Sequence, residues 1–594
     1  MIAVLCVTPA ALSVARKVVA ALPGAQLHGL VERIDGADVV FSDTKSHVAE
    51  LFKAGTAIVG VCAAGILIRA IGPYLVDKQA EPPVLAVAPD GSSAVPLLGG
   101  HHGANELARK IAEILGGHAA ITTAGDLKLG VALDEPPPGW HVANPAAAKP
   151  VAAALLAGEP VRLEVEAGDA GWLSHLTFAA DAEPAVRVTD HAVMAEDQEL
   201  LLNPPVLALG VGCERDCDPA ELAGLVRDVL EADSLAPGAI ACVASVDLKI
   251  DERAVLDLAK SLGVPARFFT AARLNDEAPR LKNPSDIVLK EIGCPGVAEG
   301  AALAAAGADA QLVVAKTKSK RATVAIARAP HAIDAAKVGR APGKLYVVGI
   351  GPGTAQMRSP AASAAIAASS DLVGYGLYLD LLGTAAEGKT RHQSDLGAEA
   401  DRARMALDLA GQGKSVALVC SGDAGIYALA TLVFELIARE ANPAWRGTEI
   451  MVVPGVSALQ AAAARAGAPV NHDFCTISLS DLLTPWETIE KRLQAAAAAD
   501  FVVCFYNPVS KRRRDQLTRA RDILLTGRPP ETPVILARQL GRPEENVRFV
   551  SLGELQADDA DMLTMVVVGS SESRRITFGG RDWVYTPRGY AKKL

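Results

Sequence analysis

The sequence predicts a multidomain protein of the α/β class, and three observations lead to this prediction. The chain has 594 residues, more than the roughly 250–300 residues at which a single hydrophobic core stops growing. Short apolar runs alternate with longer stretches of helical periodicity, as in layered α/β domains. Stretches rich in proline or lacking any periodic pattern interrupt this alternation. We therefore expect several α/β domains with largely parallel sheets.

Eight apolar runs are candidate strands, and a turn or a helical pattern follows each of them. They lie at 56–62, 206–209, 345–349, 415–420, 449–453, 501–506, 534–538 and 562–568. Strands that are followed by helices are typical of parallel sheets, because a crossover helix brings the chain back to the starting edge.

Three breaks divide the chain. A proline-rich stretch covers 134–150, a second break lies at 202–205, and a third at 331–344 precedes an apolar run that opens onto glycines. These breaks predict domains at 1–140, 141–203, 204–330 and 343–594, with 331–342 as a linker.

Composition and charge argue against several classes of function. The formal net charge is −10 and no basic stripe is interleaved with aromatic residues, so nucleic acid is not an expected partner. No run reaches the roughly 18 apolar residues of a membrane span, so we expect no membrane partner and a cytoplasmic protein. The nine cysteines lack the spacing of a zinc site. We therefore expect reduced thiols and no bound metal.

Three glycine-containing loops follow strands of the last domain. They are GIGPG at 349–353, SGDAG at 421–425 and PGVS at 454–457. Glycine lets the backbone approach a ligand closely, and open α/β sheets bind ligands beyond the carboxyl ends of their strands. The first loop also fits a tight turn or a dinucleotide site without its third glycine, Asp423 also fits a turn residue, and Ser457 also fits a helix cap.

Longer stretches of the last domain carry a more specific signal: GIGPG, SGDAGIYALA, VPGVSALQAAAARAGAPVNHDFCTISLSDLLTPWETIEKRL, ADFVVCFYNPVSKRRRDQL and TPRGY. Over 343–594 they resemble the tetrapyrrole methylase family, in particular its precorrin-3B C(17)-methyltransferases. The resemblance implies a bilobal class III methyltransferase fold with two α/β/α lobes, S-adenosylmethionine as methyl donor and a tetrapyrrole substrate. The donor contacts that it implies are Pro352, Gly422, Asp423, Ile426, Ser457, Ala458, Tyr506, Ala537 and Met565.

The resemblance also implies a reaction in which methylation at C(17) accompanies contraction of the macrocycle. Methyl transfer depends mainly on positioning, because the sulfonium donor is already activated, whereas contraction requires a proton to move. His472, Asp473 and Asp481 are the candidate acids or bases. Each of them also fits a loop or capping residue.

The amino-terminal half carries its own motifs: CAAGILIRAIGPYLVDKQAEPPVLAV, PLLGGHHGANELARKIAEILG, LALGVGCERDCDPAELAGLVRDVL, EIGCPGVAEGAAL and VVAKTKSKRATVAIAR. They resemble cobalt-precorrin-5A hydrolase, which implies lactone opening with release of acetaldehyde. The candidate catalytic residues are Glu299, Lys316, Lys318 and His101, with His102 and Asn105 beside His101.

Basic residues in both halves, including Arg513 and Arg514, would hold the carboxylates of the substrate, although surface solvation explains them too.

Three interpretations stay open at this point. The leading one is a bifunctional enzyme of cobalamin biosynthesis. In the second, the amino-terminal half is a corrinoid-binding module without catalysis, and in the third the methylase acts on another ring position or acceptor. Other enzymes of the corrin pathway, and a second copy of the chain in a homodimer, are the expected protein partners.

Overall fold

The computed structural model describes residues 2–22, 24–75, 81–100, 103–122, 129–395, 397–510 and 513–589. The chain forms two compact units. The first contains Met1–Lys344, Leu407–Ser415 and Asn442–Glu449, and the second contains Leu345–Ala406, Val416–Ala441 and Ile450–Leu594.

The first sheet of the amino-terminal unit is parallel except at one pair. Its strands are β1 (Ile2–Cys6), β2 (Ala25–Leu30), β3 (Val39–Phe41), β4 (Ala57–Val61), β5 (Val84–Val87), β6 (Ser93–Leu98) and β7 (His118–Ala119). The order is β3-β2-β1-β4-β5-β6-β7, with β5 and β6 antiparallel. Helices α1 (Leu12–Ala21) and α4 (Ala104–Leu115) cover one face, and α2 (Thr44–Lys53) and α3 (Ala64–Ile71) cover the other.

A small second sheet follows. Its strands are β8 (His141–Val142), β9 (Arg162–Val165), β10 (Ala185–Val188) and β11 (Glu199–Asn203), in the order β8-β11-β10-β9. Helix α5 (Ala148–Ala157) packs on it through Val151 and Ala154.

The third sheet combines parallel strands with an antiparallel edge. Strands β12 (Leu207–Cys213), β13 (Ile240–Val246) and β14 (Ala266–Phe269) are parallel, while β16 (Ala322–Arg328) runs antiparallel to β12 and to β15 (Gln311–Lys318). The helices of this part are α6 (Pro219–Ala232), α7 (Arg253–Leu262), α8 (Ala271–Asn275), α9 (Asp286–Ile292) and α10 (Val297–Ala306).

Small residues explain how closely α10 packs on this sheet. Every residue of α10 except Val297 is buried, and a Cβ on Gly210 of β12 would lie 2.0 Å from the Ala298 carbonyl oxygen. An alanine-rich helix over a strand glycine therefore allows a backbone contact that larger side chains would prevent.

The carboxy-terminal unit contains two large sheets. The first has the order β19-β18-β20-β17-β21 and consists of β17 (Lys344–Gly349), β18 (Asp371–Tyr375), β19 (Thr390–Ser394), β20 (Ser415–Cys420) and β21 (Glu449–Val453). Its helices are α11 (Pro360–Ala367), α12 (Gly376–Asp380), α13 (Glu399–Gly411) and α14 (Leu429–Glu440).

The second large sheet has the order β23-β24-β27-β25-β26 and consists of β23 (Phe474–Ser478), β24 (Val502–Tyr506), β25 (Pro533–Arg538), β26 (Asn546–Ser551) and β27 (Thr564–Val568). Val503 and Phe505 pack towards α16 (Trp486–Ala498) and α17 (Asp515–Leu524), whereas Val502 and Cys504 pack towards α15 (Ala458–Ala466). This alternation gives three layers. A small sheet of β22 (Gly467–Ala468), β28 (Arg574–Phe578) and β29 (Arg581–Tyr585) completes the unit.

The structure confirms the predicted α/β class but corrects the expectation of largely parallel sheets for this last sheet. Strand β27 is antiparallel to both β24 and β25, and β26 is antiparallel to β25. The segments 539–545 and 552–563 contain no α-helix. Without a crossover helix the chain reverses its direction, which produces antiparallel neighbours.

Two absences hold for the described part of the chain. None of its helices is long and apolar enough to cross a membrane. Within the same ranges, His, Cys, Asp and Glu side chains form no group of three that could hold a metal ion.

Replacing Phe505 should destabilise the carboxy-terminal unit, because this ring is fully buried between the sheet and its helices. We expect Phe505→Ala to lower the free energy of unfolding by about 3–5 kcal/mol, through lost burial and a residual cavity. Phe578→Ala is the control, since that ring is 77% exposed. Thermal unfolding of both variants checks this, and equal midpoints would contradict it.

Candidate functional site

Three glycine loops meet at the ends of strands β17, β20 and β21. Gly351 and Gly422 exchange two backbone hydrogen bonds, of 3.1 Å from the Gly351 N–H and 2.9 Å from the Gly422 N–H. Both residues have positive φ, +79° and +69°, which favours glycine at each position. The loops predicted to converge therefore do so through their backbones.

Two further glycines make this approach possible. A Cβ on Gly455 would lie 2.2 Å from the Gly422 carbonyl oxygen, and a Cβ on Gly349 would lie 2.6 Å from the same oxygen. Both distances are far below van der Waals contact, so a side chain at either position would push the loops apart.

The Asp423 carboxylate connects two of the loops. Its Oδ1 accepts the Gly425 N–H at 2.8 Å and its Oδ2 accepts the Gly455 N–H at 3.0 Å. Asp423 is thus a turn residue, as its alternative interpretation had it, and it also fixes the neighbouring loop.

Ser457 is a helix cap at the start of α15. Its Oγ accepts the Gln460 N–H at 3.3 Å, while Gln460 Oε1 accepts the Ser457 N–H at 2.9 Å, so the pair forms a capping box. The cap sets the course of the backbone at Ser457 and Ala458 beside Gly422, where a Cβ would lie 3.9 Å from the Ala458 nitrogen.

An apolar cluster lies next to these loops. Ala458, Tyr506, Ala537 and Met565 belong to it, and Ala537 and Met565 face each other on β25 and β27. Among the described residues the buried Tyr506 hydroxyl has no hydrogen-bond partner of normal geometry. Burial raises the pKa of Tyr506, although Ser457 and the Leu459 backbone nearby counteract this.

Pro352 and Ile426 complete the set of predicted donor contacts. Pro352 is buried in the first loop and Ile426 is half-buried in the second. Tyr427 was missed by the sequence analysis, because an aromatic residue within an apolar motif is usually a core residue. Its ring is 52% exposed and its centroid lies 5.0 Å from that of Tyr506. Its position within SGDAGIYALA was the available signal.

The three candidate acids or bases of the carboxy-terminal unit do not form one cluster, because no described contact joins Asp481 to the other two. His472 and Asp473 contact each other, with the Asp473 N–H donating to His472 Nδ1 at 2.8 Å. Asp481 instead contacts Gln516 and Arg513 beyond the carboxyl ends of β23 and β24. Its position near Tyr506 follows from the 3.0 Å bond of the Leu479 N–H to the Tyr506 carbonyl.

Glu299 in the amino-terminal unit is a buried carboxylate with four hydrogen-bond donors. It accepts the backbone N–H groups of Lys282 at 2.8 Å, Asn283 at 2.9 Å and Lys316 at 2.8 Å, and also the Asn283 side-chain amide at 2.9 Å. Burial raises the pKa of Glu299, but these bonds outweigh it and the net pKa is lowered. Glu299 therefore ties the 282–283 segment to β15.

Lys316 lies where β15 is irregular. The register with β16 shifts between Val314 and Thr317, so the Lys316 N–H is free to reach Glu299. Its Nζ donates to the Asn283 carbonyl at 2.8 Å, whereas Lys318 lies at the exposed end of the strand. Bulged strands are common beside active sites, because they redirect side chains. His101 and His102 lie outside the described residues.

Comparisons with known proteins agree with this architecture. The model of the tetrapyrrole (corrin/porphyrin) methylases matches residues 344–556. A precorrin-3B C(17)-methyltransferase of Sinorhizobium sp is 47% identical over 251 residues, which cover 42% of this chain and 98% of the relative. The chain belongs to the tetrapyrrole methylase family. Methyltransferases of this family use S-adenosylmethionine.

Further comparisons match both halves of the chain. The cobalamin biosynthesis protein CobIJ of Mycobacterium tuberculosis is 44% identical over 252 residues, covering 42% of this chain and 48% of that protein. The crystal structure of the methyltransferase CobJ is 44% identical, covers 41% of this chain and 100% of that chain, and has a TM-score of 0.39. In the amino-terminal half, the models of the cobalamin synthesis G N-terminal and C-terminal regions match 46–126 and 207–327. Both predicted resemblances are confirmed.

The carboxy-terminal site fits the methyl donor of this family. The backbones of Gly349, Gly422 and Gly455 form a cradle, because a Cβ on Gly349 or Gly455 would collide with the Gly422 carbonyl oxygen. The buried Tyr506 hydroxyl, which has no hydrogen-bond partner of normal geometry among the described residues, supplies a polar group beside the apolar cluster. Apolar side chains with a few polar groups are typical of small-molecule sites.

Adding a methyl group to Gly455 should weaken donor binding, because its Cβ would lie 2.2 Å from the Gly422 carbonyl oxygen. We expect Gly455→Ala to weaken binding of S-adenosylhomocysteine at least about tenfold, as displaced backbone donors lose their bonds. Gly425→Ala is the matched control, since its Cβ would meet only Asp423 Oδ1, at 3.3 Å. Isothermal titration calorimetry measures both, and equal affinities would refute the cradle.

Removing the charge of Glu299 should destabilise the amino-terminal unit. We expect Glu299→Gln to lower the free energy of unfolding at neutral pH by about 1–3 kcal/mol, because one oxygen becomes a donor that faces other donors. The folded pKa of Glu299 is lowered, so its contribution is present above the unfolded pKa of about 4.3 and is lost as pH falls through the folded value.

Thermal unfolding between pH 3 and pH 8 measures this effect. The difference in melting temperature between wild type and Glu299→Gln should become small at the acidic end of this range. Asp257→Asn serves as the control, because Asp257 forms an exposed pair with Arg253, and such pairs contribute little. A difference in melting temperature that is independent of pH would contradict the lowered pKa of Glu299 in the folded protein.

Proposed function

We propose that this chain is a bifunctional enzyme of cobalamin biosynthesis. Its carboxy-terminal domain, 343–594, methylates C(17) of precorrin-3B or its cobalt counterpart with ring contraction, using S-adenosylmethionine. Its amino-terminal domains, at 1–140, 141–203 and 204–330, with a linker at 331–342, open the lactone of cobalt-precorrin-5A and release acetaldehyde. The observation that carries the methyltransferase is the backbone cradle of Gly349, Gly422 and Gly455, in a domain that is 47% identical over 251 residues to a C(17)-methyltransferase.

S-adenosylmethionine, when bound, would supply an electrophilic methyl group for the ring carbon. The protein acts by positioning. The glycine backbones fix the donor, the Asp423 carboxylate holds two of the loops in register, and the apolar cluster at Ala537 and Met565 excludes water from the reacting atoms. Asp481 is the candidate for proton transfer during contraction that lies nearest to this cluster.

For the hydrolase, Glu299 acts as a positioning residue. Its four donors leave no lone pair directed at a substrate, and it holds Lys316 at the irregular point of β15. Lys316 and Lys318 bind the negatively charged side chains of the substrate. His101 remains the candidate base of the amino-terminal domain.

A second candidate function follows from the same carboxylate. Because Glu299 is fully hydrogen-bonded, the amino-terminal half also suits a corrinoid-binding module without catalysis. We further propose that the protein works in the cytoplasm as a homodimer, alongside other enzymes of the corrin pathway.

The two activities should be separable by mutation within the full-length chain. We expect wild type to add one methyl group to precorrin-3B and to release acetaldehyde from cobalt-precorrin-5A. Gly455→Ala should lose methylation and keep acetaldehyde release, because the substitution touches only the donor cradle. Mass spectrometry of the corrinoid and enzymatic assay of acetaldehyde follow both reactions. Corrinoid binding without acetaldehyde would instead establish the binding module.

A further inference from the structure

Arg513 is a buried cation beyond the carboxyl ends of two parallel strands. Its side chain is 8% exposed, and it follows β24, while Asp481 follows the neighbouring strand β23. Tyr506 ends β24 and belongs to the apolar cluster of the donor site. Arg513 therefore lies at the sheet edge where this fold binds ligands.

No described residue accepts a hydrogen bond from the Arg513 guanidinium. Its Nη1 is buried without a partner among these residues, and its nearest charge contact is from Nε to Asp481 Oδ1, at 3.9 Å. The other Asp481 oxygen accepts the Gln516 side chain at 2.9 Å. Asp481 thus offsets part of the charge but leaves the donors of Arg513 open.

Two other arginines show what a structural role looks like in this domain. Arg528 is fully buried, and its Nη1 and Nη2 atoms donate to the carbonyl oxygens of Gly569, Ala496 and Phe501, at 2.7, 3.2 and 2.5 Å. Arg514 is half-exposed and pairs with Asp558. Arg513 has neither arrangement, although a buried guanidinium without a hydrogen-bond acceptor costs stability.

The surroundings of Arg513 combine charge with exposed apolar groups. Leu482 and Leu483 follow Asp481 directly and are 87% and 98% exposed. Large apolar side chains that directly follow Asp481, the charge contact of Arg513, suit a flat apolar ring with carboxylate arms. A surface turn alone accounts for neither the two leucines nor the open guanidinium.

We propose that Arg513 binds a carboxylate side chain of the tetrapyrrole, while Leu482 and Leu483 contact the face of the ring. The identity of the ligand rests on the proposed function, but the presence of an anion site does not. Arg513 selects substrates that carry a carboxylate at the position it faces, and it orients the macrocycle relative to the donor. Arg513 is a substrate-binding residue and takes no part in bond breaking.

The test compares Arg513→Gln with Arg514→Gln in the full-length chain, because both changes remove one positive charge from adjacent positions. We measure the Kd for precorrin-3B and for S-adenosylhomocysteine by calorimetry, and the salt dependence of the former. We expect Arg513→Gln to weaken precorrin-3B binding roughly 10- to 100-fold, as for the loss of a charged hydrogen bond. Arg514→Gln should change it less than about threefold, as for exposed pairs, and the Kd for S-adenosylhomocysteine should stay unchanged in both.

The melting temperature distinguishes substrate binding from a structural role. Because the free protein gives Arg513 no acceptor among the described residues, Arg513→Gln should melt no lower than wild type, whereas a structural arginine would lower the midpoint. Arg513→Lys keeps the charge and should retain an intermediate affinity. Equal precorrin-3B affinity in Arg513→Gln and wild type would overturn the proposal even if C(17) methylation is observed. A wild-type enzyme that binds precorrin-3B through Arg513 but transfers no methyl group would overturn the proposed function alone.

Discussion

The carboxy-terminal domain depends on one contact, the meeting of three strand-end backbones without any intervening side chain. The Gly422 carbonyl oxygen lies where a Cβ of either Gly349 or Gly455 would stand, and the paired bonds of Gly351 and Gly422 close the arrangement. Asp423 then adds its carboxylate to the Gly455 N–H. The result is a layer of peptide groups at the strand ends, held in register by the single carboxylate of Asp423, and such groups carry fixed dipoles. The course of the backbone into α15, and with it the position of the apolar cluster, follows from this layer.

In the amino-terminal unit a single charged side chain, rather than a set of glycines, joins the segments by accepting hydrogen bonds from several backbone groups. Glu299 gathers three N–H groups and one side-chain amide from two segments. It does so from the first turn of a helix whose alanines pack directly on Gly210. A buried carboxylate is tolerated because every lone pair has a donor. Both parts thus place small residues where backbones approach and reserve buried charge for points where loops must be held.

Much of this architecture could be predicted from the sequence, and the failures have physical causes. Runs such as 415–420 and 449–453 coincide with strands β20 and β21, because short apolar runs that are followed by glycine-containing turns are typical of strands. The direction of β26 and β27 was not predictable from such runs, since it depends on whether a helix fills the connection. From the sequence, Ser457 fitted either a helix cap or a donor contact. It is a helix cap, and it fixes the backbone beside the donor site. The four bonds of Glu299 and the lack of a hydrogen-bond acceptor at Arg513 depend on residues distant in sequence, so no local pattern could distinguish Arg513 from Arg514.

The most direct test of the backbone cradle follows its own amide groups. In full-length protein labelled with ¹⁵N-glycine, S-adenosylhomocysteine is titrated while the glycine amide resonances are recorded, with single Gly→Ala variants used for assignment. We expect the amide resonances of Gly351, Gly422 and Gly455 to shift on binding. Those of Gly579 and Gly580, in the turn between β28 and β29, should not shift. Binding that leaves the three loop amides unchanged would contradict a donor site built from these backbones.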